Sequence, residues 1–423
     1  MQATRLIVQF QLHTIACDCL VSATPHHPDA PAPSRLRLTA RRPLTDFLTH
    51  QWCDFQASRR PRGFPTSPLG PHQHAHSSPH FPLQAPAATR DTYVGIYRRG
   101  WDVLRKERYE RQEKSGLLSA SWKFTERSAV PVDRADIANG YPGKRNPPWN
   151  SLPAKRREDL SYRMATFAAM LEHVDRGIGR ILGHLEKSGD LDNTLILFTS
   201  DNGACYEWGP FGFDGRSRRG KTTLHQGEKL KNVGGPGTHH SVGSAWSCLS
   251  NTPLRMYKHF NHEGGNCNQL IAHWPKGIRK PNRWVRSPVH LIDIMPTICS
   301  VTGVEYPEKF NGQKITPVAG ASMKAVFDGG ESLPGRTLYF DHFGSSAIRQ
   351  GDWKLVRGNT RYNKAAWELY NIAEDRCETN NRIHSQPEKA KVLEKLWTEW
   401  AVRMKIQPYA RLSATSKAGD SGK

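Results

Sequence analysis

The chain lacks three features that would each indicate a well-defined class of protein. No apolar run approaches the ~18 residues of a membrane-spanning helix, so we expect no transmembrane segment. None of the eight cysteines stands in a C-x-x-C pair, and they are too scattered to indicate a zinc site or a disulfide framework. Neither an RNA-binding aromatic signature nor a basic heptad arm occurs. Only the net charge of +21 argues for nucleic acid, and we expect no such partner.

Lysine and glutamate are absent from residues 1–90, where arginine, proline and histidine are frequent. This composition is typical of a disordered extension. An out-of-frame translation of part of the segment explains the missing lysine equally well. We therefore predict that residues 1–76 are an irregular N-terminal segment, either disordered or out of frame. Gln9 and Gln11 interrupt its apolar start, so it also makes a poor secretory signal.

The chain as a whole has room for a large core and carries a strong positive charge. With 423 residues it can form one large α/β domain and a small satellite, or two to three domains of average size. The excess of lysine and arginine favours anionic partners, among them phosphate and sulfate esters. A solvated basic surface without a partner is the alternative.

Residues 194–203 hold the most specific local signal. Their apolar, β-branched run predicts a buried strand that ends near Ser200. Asp201 and Asn202 follow at once, at the end of the strand where open α/β sheets place their ligands. Carboxylate and amide oxygens suit a hard cation such as Ca²⁺ or Mg²⁺. An Asp-Asn-Gly turn that binds nothing is the alternative.

Periodic segments around this strand predict an α/β sheet followed by a smaller antiparallel sheet. Apolar residues three and four positions apart predict a long amphipathic helix over residues 158–187. A second strand is predicted over 270–274, and short runs after residue 335 predict the antiparallel sheet. We expect an α/β domain over 77–334, an antiparallel-sheet subdomain over 335–410 and a tail over 411–423.

Two side chains are candidates for contacting an anionic substrate. Lys258 precedes the turn that begins at Glu263, where it can act as a point charge. His80 lies in a proline-rich segment that would hold its ring rigidly, which suits a general acid or an oxyanion donor. A solvated lysine and an incidental histidine are the alternatives.

Several motifs occur in a fixed order along the chain. They are PHFPLQAP (79–86), GWDVLR (100–105), SDNG (200–203), SNTPLRMYKH (250–259), HEGG (262–265), IDIMPT (292–297), RQGDWKLV (349–356) and WELYN (367–371). Together they resemble the sulfatase family, especially its bacterial arylsulfatase-like branch, over roughly residues 77–409.

The resemblance implies a fold and a set of roles. The expected fold is an alkaline-phosphatase-like mixed sheet flanked by helices, with a small C-terminal α+β subdomain. In that family the Asp-Asn pair binds a divalent cation, usually Ca²⁺, which assigns this role to Asp201 and Asn202. The lysine before the Glu-Gly-Gly turn contacts the sulfate group, which assigns this role to Lys258. The histidine of the His-x-Pro segment contacts the sulfate or the leaving oxygen, which assigns this role to His80.

Three parts of the family pattern are missing from the sequence. No Asp-Asp pair ends a first strand, and no Lys-x-His motif lies upstream of His80. The family's nucleophile is formylglycine, made from the cysteine of Cys-x-Pro-Ser-Arg, but the similar stretch over 31–39 has Pro31 at that place. We therefore expect no formylglycine. Asp201 and Asn202 alone offer too few oxygens for a tight calcium site.

The resemblance implies metal-dependent hydrolysis of aryl or carbohydrate sulfate esters. The missing nucleophile predicts that this chain has no appreciable activity. Two alternatives stay open: a non-catalytic binder of sulfated glycans, and a phosphate or phosphonate esterase of the same superfamily. Family members are commonly periplasmic or secreted, but the first residues of this chain do not support export.

Overall fold

The computed structural model describes residues 6–12, 72–119, 122–130, 141–215, 222–358 and 366–407. The stretch over 31–39 and the tail over 411–423 lie outside the described residues, so the expectations for them stay predictions. No helix in the described ranges is both long and apolar enough to cross a membrane.

The described residues form ten strands and eight α-helices. The strands are β1 Leu6–Leu12, β2 His72–His76, β3 Thr194–Ser200, β4 Leu270–His273, β5 Lys309–Phe310, β6 Gln313–Lys314, β7 Thr337–His342, β8 Ser345–Gln350, β9 Trp353–Arg357 and β10 Trp367–Asn371. The helices are α1 Ala87–Tyr97, α2 Trp101–Lys114, α3 Ala154–Ser188, α4 Gly243–Ser250, α5 Glu263–Asn266, α6 Ile294–Thr302, α7 Lys324–Phe327 and α8 Pro387–Arg403.

The first sheet is mixed and has the strand order β2-β1-β3-β4. Strand β1 runs parallel to both of its neighbours, whereas β4 runs antiparallel to β3. Leu12 pairs with both His76 and Ser200, so β1, β2 and β3 end at one edge of the sheet. The segments that follow β2 and β3 therefore emerge side by side, where such sheets place their ligands.

Within residues 1–76 the structure describes two strands, β1 and β2, and the expectation that this segment is disordered or out of frame stays a prediction. The sequence of β1, LIVQFQL, begins with aliphatic and β-branched residues that suit a strand between two parallel neighbours. The sequence of β2, HQHAH, carries no apolar alternation, so its backbone pairing with β1 determines its conformation. Amino-acid composition does not report such pairing, which is why the sequence interpretation missed both strands.

Helix α3 is the long amphipathic helix that the apolar periodicity predicts. Its buried face includes Leu160, Met164 and Phe167, and the helix ends at Ser188, with Gly189 as its left-handed C-cap. Helices α1 and α2 are separated at Gly100, whose φ of 84° lies in the region that favours glycine. A Cβ there would also lie 2.2 Å from the side chain of Trp149. The core beside these helices is therefore packed closely enough to require glycine.

The second sheet is antiparallel and has the order β10-β9-β8-β7. Helix α8 packs on it through Leu393 and Trp397, which meet Ile348, Leu355 and Leu369 in one buried cluster. The mixed sheet with its helices and this small α+β unit match the fold class expected from the sequence. The boundaries at residues 77, 335 and 410 remain predictions.

Candidate functional site

Backbone contact between two glycine turns forms the base of the site. The N–H of Gly203, just after β3, donates a hydrogen bond to the carbonyl of Gly265 at 2.9 Å. A Cβ on Gly203 would lie 1.7 Å from the carbonyl oxygen of Gly264. Only glycine permits this approach, so the Asp-Asn-Gly turn and the Glu-Gly-Gly turn depend on each other.

Asn251 connects these turns to the loop that carries Lys258. Its side-chain oxygen accepts a hydrogen bond from the N–H of Ala204 at 2.9 Å. Its side-chain nitrogen donates to the carbonyls of Met256 at 2.8 Å and of Gly264 at 2.7 Å. The N–H of Lys258 also donates to the carbonyl of Ala204 at 3.0 Å. The loop is thus fixed at the carboxyl end of β3.

The structure brings His80 and Lys258 into direct contact. Their side-chain atoms Nε2 and Nζ lie 3.1 Å apart, and both side chains are half-buried. The Nδ1 atom of His80 lies 2.7 Å from the carbonyl of Phe81, which can only accept a hydrogen bond. Nδ1 therefore carries the proton, and Nε2 accepts a hydrogen bond from the ammonium group of Lys258. The pair presents a cation beside a neutral imidazole of fixed tautomer.

Asp201 and Asn202 lie at the end of β3, as the sequence predicts. The Oδ1 atom of Asn202 is buried and accepts no hydrogen bond within the described ranges, and the Oδ1 atom of Asp201 is buried as well. A buried oxygen of this kind suits a hard cation. Asp201 nevertheless joins no cluster of three or more carboxylate, imidazole or thiol groups among the described residues. The residues present fit part of a calcium site, which needs six to eight oxygens.

A hydrogen-bonded chain beside Lys258 was not found from the sequence. The Sγ atom of Cys205 lies 2.6 Å from Oε2 of Glu207, and Oε1 of Glu207 lies 3.0 Å from Nε2 of His259. The Nδ1 atom of His259 lies 2.8 Å from Nε2 of His342, in the second sheet. The adjacency of His259 to Lys258 was the only local signal, because the remaining contacts cross the fold.

The ionisation of this chain follows from its surroundings. Burial acts to raise the pKa of Glu207, but the hydrogen bond with His259 and the charge of Lys258 outweigh it and lower that pKa to about 2. Burial and the neighbouring Glu207 raise the pKa of the Cys205 thiol well above its ordinary value. Cys205 lines a pocket with His80 and Phe81, but its protonated thiol is a poor nucleophile.

A buried ionic network joins the Glu-Gly-Gly turn to the second sheet. The Nζ atom of Lys354 lies 2.6 Å from Glu263 and 3.0 Å from Glu378, and all three side chains are buried. Arg376 lies 2.7 Å from the other oxygen of Glu263. Burial acts to raise the pKa of Glu263, but Arg376 and Lys354 lower it to about 2. The second sheet therefore positions the turn that contacts Gly203.

Two models of known protein families match this chain, and together they cover most of it. The family model described as Sulfatase matches residues 26–304, and the model for the C-terminal part of N-sulphoglucosamine sulphohydrolase matches residues 256–405. An uncharacterised sulfatase of Schizosaccharomyces pombe is 30% identical over 337 residues, which cover 77% of this chain and 56% of that protein.

Two further relatives have named activities. An arylsulfatase of Klebsiella aerogenes is 25% identical, over 60% of this chain and 50% of that protein. An N-acetylglucosamine-6-O-sulfatase of Bacteroides thetaiotaomicron is 27% identical, over 54% of this chain and 33% of that protein. The chain thus spans about half of the curated relatives it matches, or less.

Proposed function

Since the chain belongs to the sulfatase family, a family of hydrolases, we propose that its site binds the sulfate group of sulfate esters through Lys258 and His80. The contact between these two side chains is the observation that carries the proposal, because each was assigned to sulfate from a separate motif. An ammonium group beside a polar imidazole suits an anionic ester. The relatives named above support aryl and carbohydrate sulfate esters as the substrate class.

Asp201 and Asn202 are the residues that would hold a divalent cation, for which Ca²⁺ is our proposal. The family generally uses a metal ion. When bound, such a cation would neutralise negative charge on the sulfate oxygens. The buried Oδ1 atom of Asn202 supports this role. The two side chains supply only part of the ligand set, so we expect weak binding of Ca²⁺.

We further propose that this chain binds sulfate esters without hydrolysing them. The sequence has Pro31 where the family's formylglycine precursor would stand, and proline has no nucleophilic side-chain atom. The buried, protonated Cys205 offers no substitute. Lys258 and His80 can position the ester and stabilise its negative charge. Hydrolysis also needs a nucleophile for its first covalent step, and the described residues of the site supply none.

Binding and turnover of p-nitrophenyl sulfate test these proposals separately. We expect calorimetry to detect binding and absorbance to detect no release of p-nitrophenol. Lys258→Ala should weaken binding about tenfold or more, because it removes a charged hydrogen bond. Lys276→Ala, which removes an exposed lysine, is the matched control and should bind as the wild type does. Equal binding by both variants would refute the role of Lys258, and turnover that Lys258→Ala abolishes would refute the lack of activity.

Non-catalytic binding of sulfated glycans along the basic surface, outside the site of Lys258 and His80, is the second candidate, and the net charge of +21 favours it. Such binding would fall steeply with salt, persist in EDTA and survive Lys258→Ala, because it would use the surface rather than the site. A phosphate or phosphonate esterase would instead bind p-nitrophenyl phosphate more tightly than the sulfate ester.

A further inference from the structure

A second cluster of chemically active side chains lies in the long connection between β3 and α4. It consists of Asp214, His225 and His240, with Asp159 and Arg163 of α3 packed against it. One potential ligand atom from each of Asp214, His225 and His240 lies within 4.8 Å of the other two. None of these residues takes part in the proposed sulfate site.

Both imidazoles of this cluster are oriented by carboxylates. The Nδ1 atom of His225 lies 2.7 Å from Asp159, and the Nδ1 atom of His240 lies 2.6 Å from Asp214. Burial acts to raise the pKa of each carboxyl group, but Arg163 and the histidines outweigh it and lower both pKa values. An ionised carboxylate only accepts hydrogen bonds, so each Nδ1 carries a proton and each Nε2 keeps a lone pair.

The Nε2 atom of His240 is buried and unused by the part of the chain that the structure describes. The residue is 4% exposed, and this atom makes no hydrogen bond with any described residue. Because Nδ1 of His240 carries the proton that bonds to Asp214, the buried Nε2 atom is the one that can donate a lone pair to a metal ion. Histidines that bind a metal ion through one ring nitrogen usually donate a hydrogen bond from the other to a carboxylate, as His240 does.

The charges around the cluster favour neutral nitrogen ligands over oxygen ligands. The guanidinium group of Arg163 is fully buried and lies 3.2 Å from Asp159 and 2.8 Å from Asp214, so it pairs with both carboxylates. Asp159 pairs with Arg156 as well, at 3.0 Å. Because both carboxylates are already neutralised, they offer little to a hard cation such as Ca²⁺. The two imidazoles suit Zn²⁺ or Cu²⁺.

We propose that His225 and His240 bind a Zn²⁺-class cation through their Nε2 atoms, with Asp159 and Asp214 orienting the two rings. The side chain of His225 is 15% exposed, which gives solvent access to the remaining coordination positions. With two protein ligands the site is open rather than closed. It is separate from Asp201 and Asn202 in both its residues and its preferred metal.

Titration of the full chain with ZnCl₂, after treatment with EDTA and dialysis, tests the proposal. We expect one stoichiometric binding event by calorimetry and a rise in Tm, because Zn²⁺ binds the folded chain preferentially. His225→Ala should weaken that event at least tenfold and remove the rise in Tm. Asp214→Asn should weaken it about tenfold to a hundredfold by freeing the ring of His240. His184→Ala, which removes an exposed histidine of α3, is the matched control and should behave as the wild type.

Binding of Zn²⁺ that is the same in His225→Ala as in the wild type would overturn the proposal, as would the absence of a stoichiometric event. An Asp214→Asn variant with unchanged affinity would overturn the orienting role. Electron paramagnetic resonance of the wild type with one equivalent of Cu²⁺ provides a check that does not depend on the folding of a variant. We expect the Cu²⁺ signal to show coupling to two imidazole nitrogens, and a spectrum typical of oxygen ligands alone would contradict the assignment.

Discussion

The side chains of Lys258 and His80 meet at 3.1 Å although 178 positions separate them in the chain. The contact exists because the segments after β2 and β3 leave the same edge of the sheet, and because Lys258 is held at Ala204 by its backbone. Since the ammonium group of Lys258 donates to the imidazole of His80, removal of either side chain changes the other.

We therefore predict that His80→Ala and Lys258→Ala are not additive in their effect on binding p-nitrophenyl sulfate. Calorimetry on both single variants and the double variant should give a coupling energy of about 0.5–3 kcal/mol. The control cycle combines His80→Ala with Lys276→Ala and should be additive to within about 0.3–0.5 kcal/mol. Additivity in the first cycle would mean that the contact has no energetic significance.

Gly203→Ala should destabilise the protein strongly. A Cβ at this position would lie 1.7 Å from the carbonyl oxygen of Gly264, so one of the two turns must move. Overpacking of this kind typically costs about 1–3 kcal/mol, and backbone has less freedom to yield than a side chain. Urea unfolding measures the loss.

Gly183→Ala is the matched control for this substitution. A Cβ on Gly183, inside α3, would meet no atom within 4 Å apart from its chain neighbours and the backbone of the helix itself. We expect it to stabilise the protein by about 0.5–1 kcal/mol, because alanine is the better helix former. Equal stability of the two variants would show that the turns are not in close contact.

Lys354→Met should be severely destabilising. The substitution leaves the buried carboxylates of Glu263 and Glu378 without their shared ammonium group. Removing one partner of a buried ion pair lowers the free energy of unfolding by about 3–5 kcal/mol. Lys324→Met, which breaks the exposed pair with Asp328, should cost at most about 1 kcal/mol. Similar losses in both variants by urea unfolding would contradict the structural role of the buried network.

Sequence patterns predicted secondary structure best in elements whose own residues carry the pattern, independently of their neighbours in the fold. The apolar period of α3 and the β-branched run of β3 are local properties, so both elements were predicted, although α3 begins at Ala154 rather than at residue 158. His80 and Lys258 were candidates from their local sequence, but only the family motifs around them favoured a functional role over a solvated lysine and an incidental histidine. Nothing local in HQHAH predicts β2, because pairing with β1 forms that strand.

Clusters of side chains that lie far apart in the chain could not be predicted from the sequence. Glu207 contacts His259 across 52 positions, and His259 contacts His342 across 83. The histidines His225 and His240 were two among 19, with no spacing that distinguishes a metal site. Their significance depends on Asp159 and Asp214, which the fold places beside them.

Acid should destabilise the protein partly through Glu207. Its pKa is about 2 in the folded chain, below the ordinary 4.5, so the ionised form stabilises the fold. This contribution is complete above pH 4.5 and is lost as the pH falls towards 2, because the unfolded chain then binds the proton more readily. Unfolding free energies measured in steps of pH should therefore fall less steeply over this window in Glu207→Gln.

Glu228→Gln is the control for this pH dependence, because the side chain of Glu228 is 85% exposed. In this variant the unfolding free energy should change with pH as steeply as it does in the wild type. The comparison isolates the contacts of Glu207 with His259 and Cys205 from the general effect of removing a carboxyl group. If both variants reproduce the wild-type slope, then Glu207 is not held ionised by those contacts.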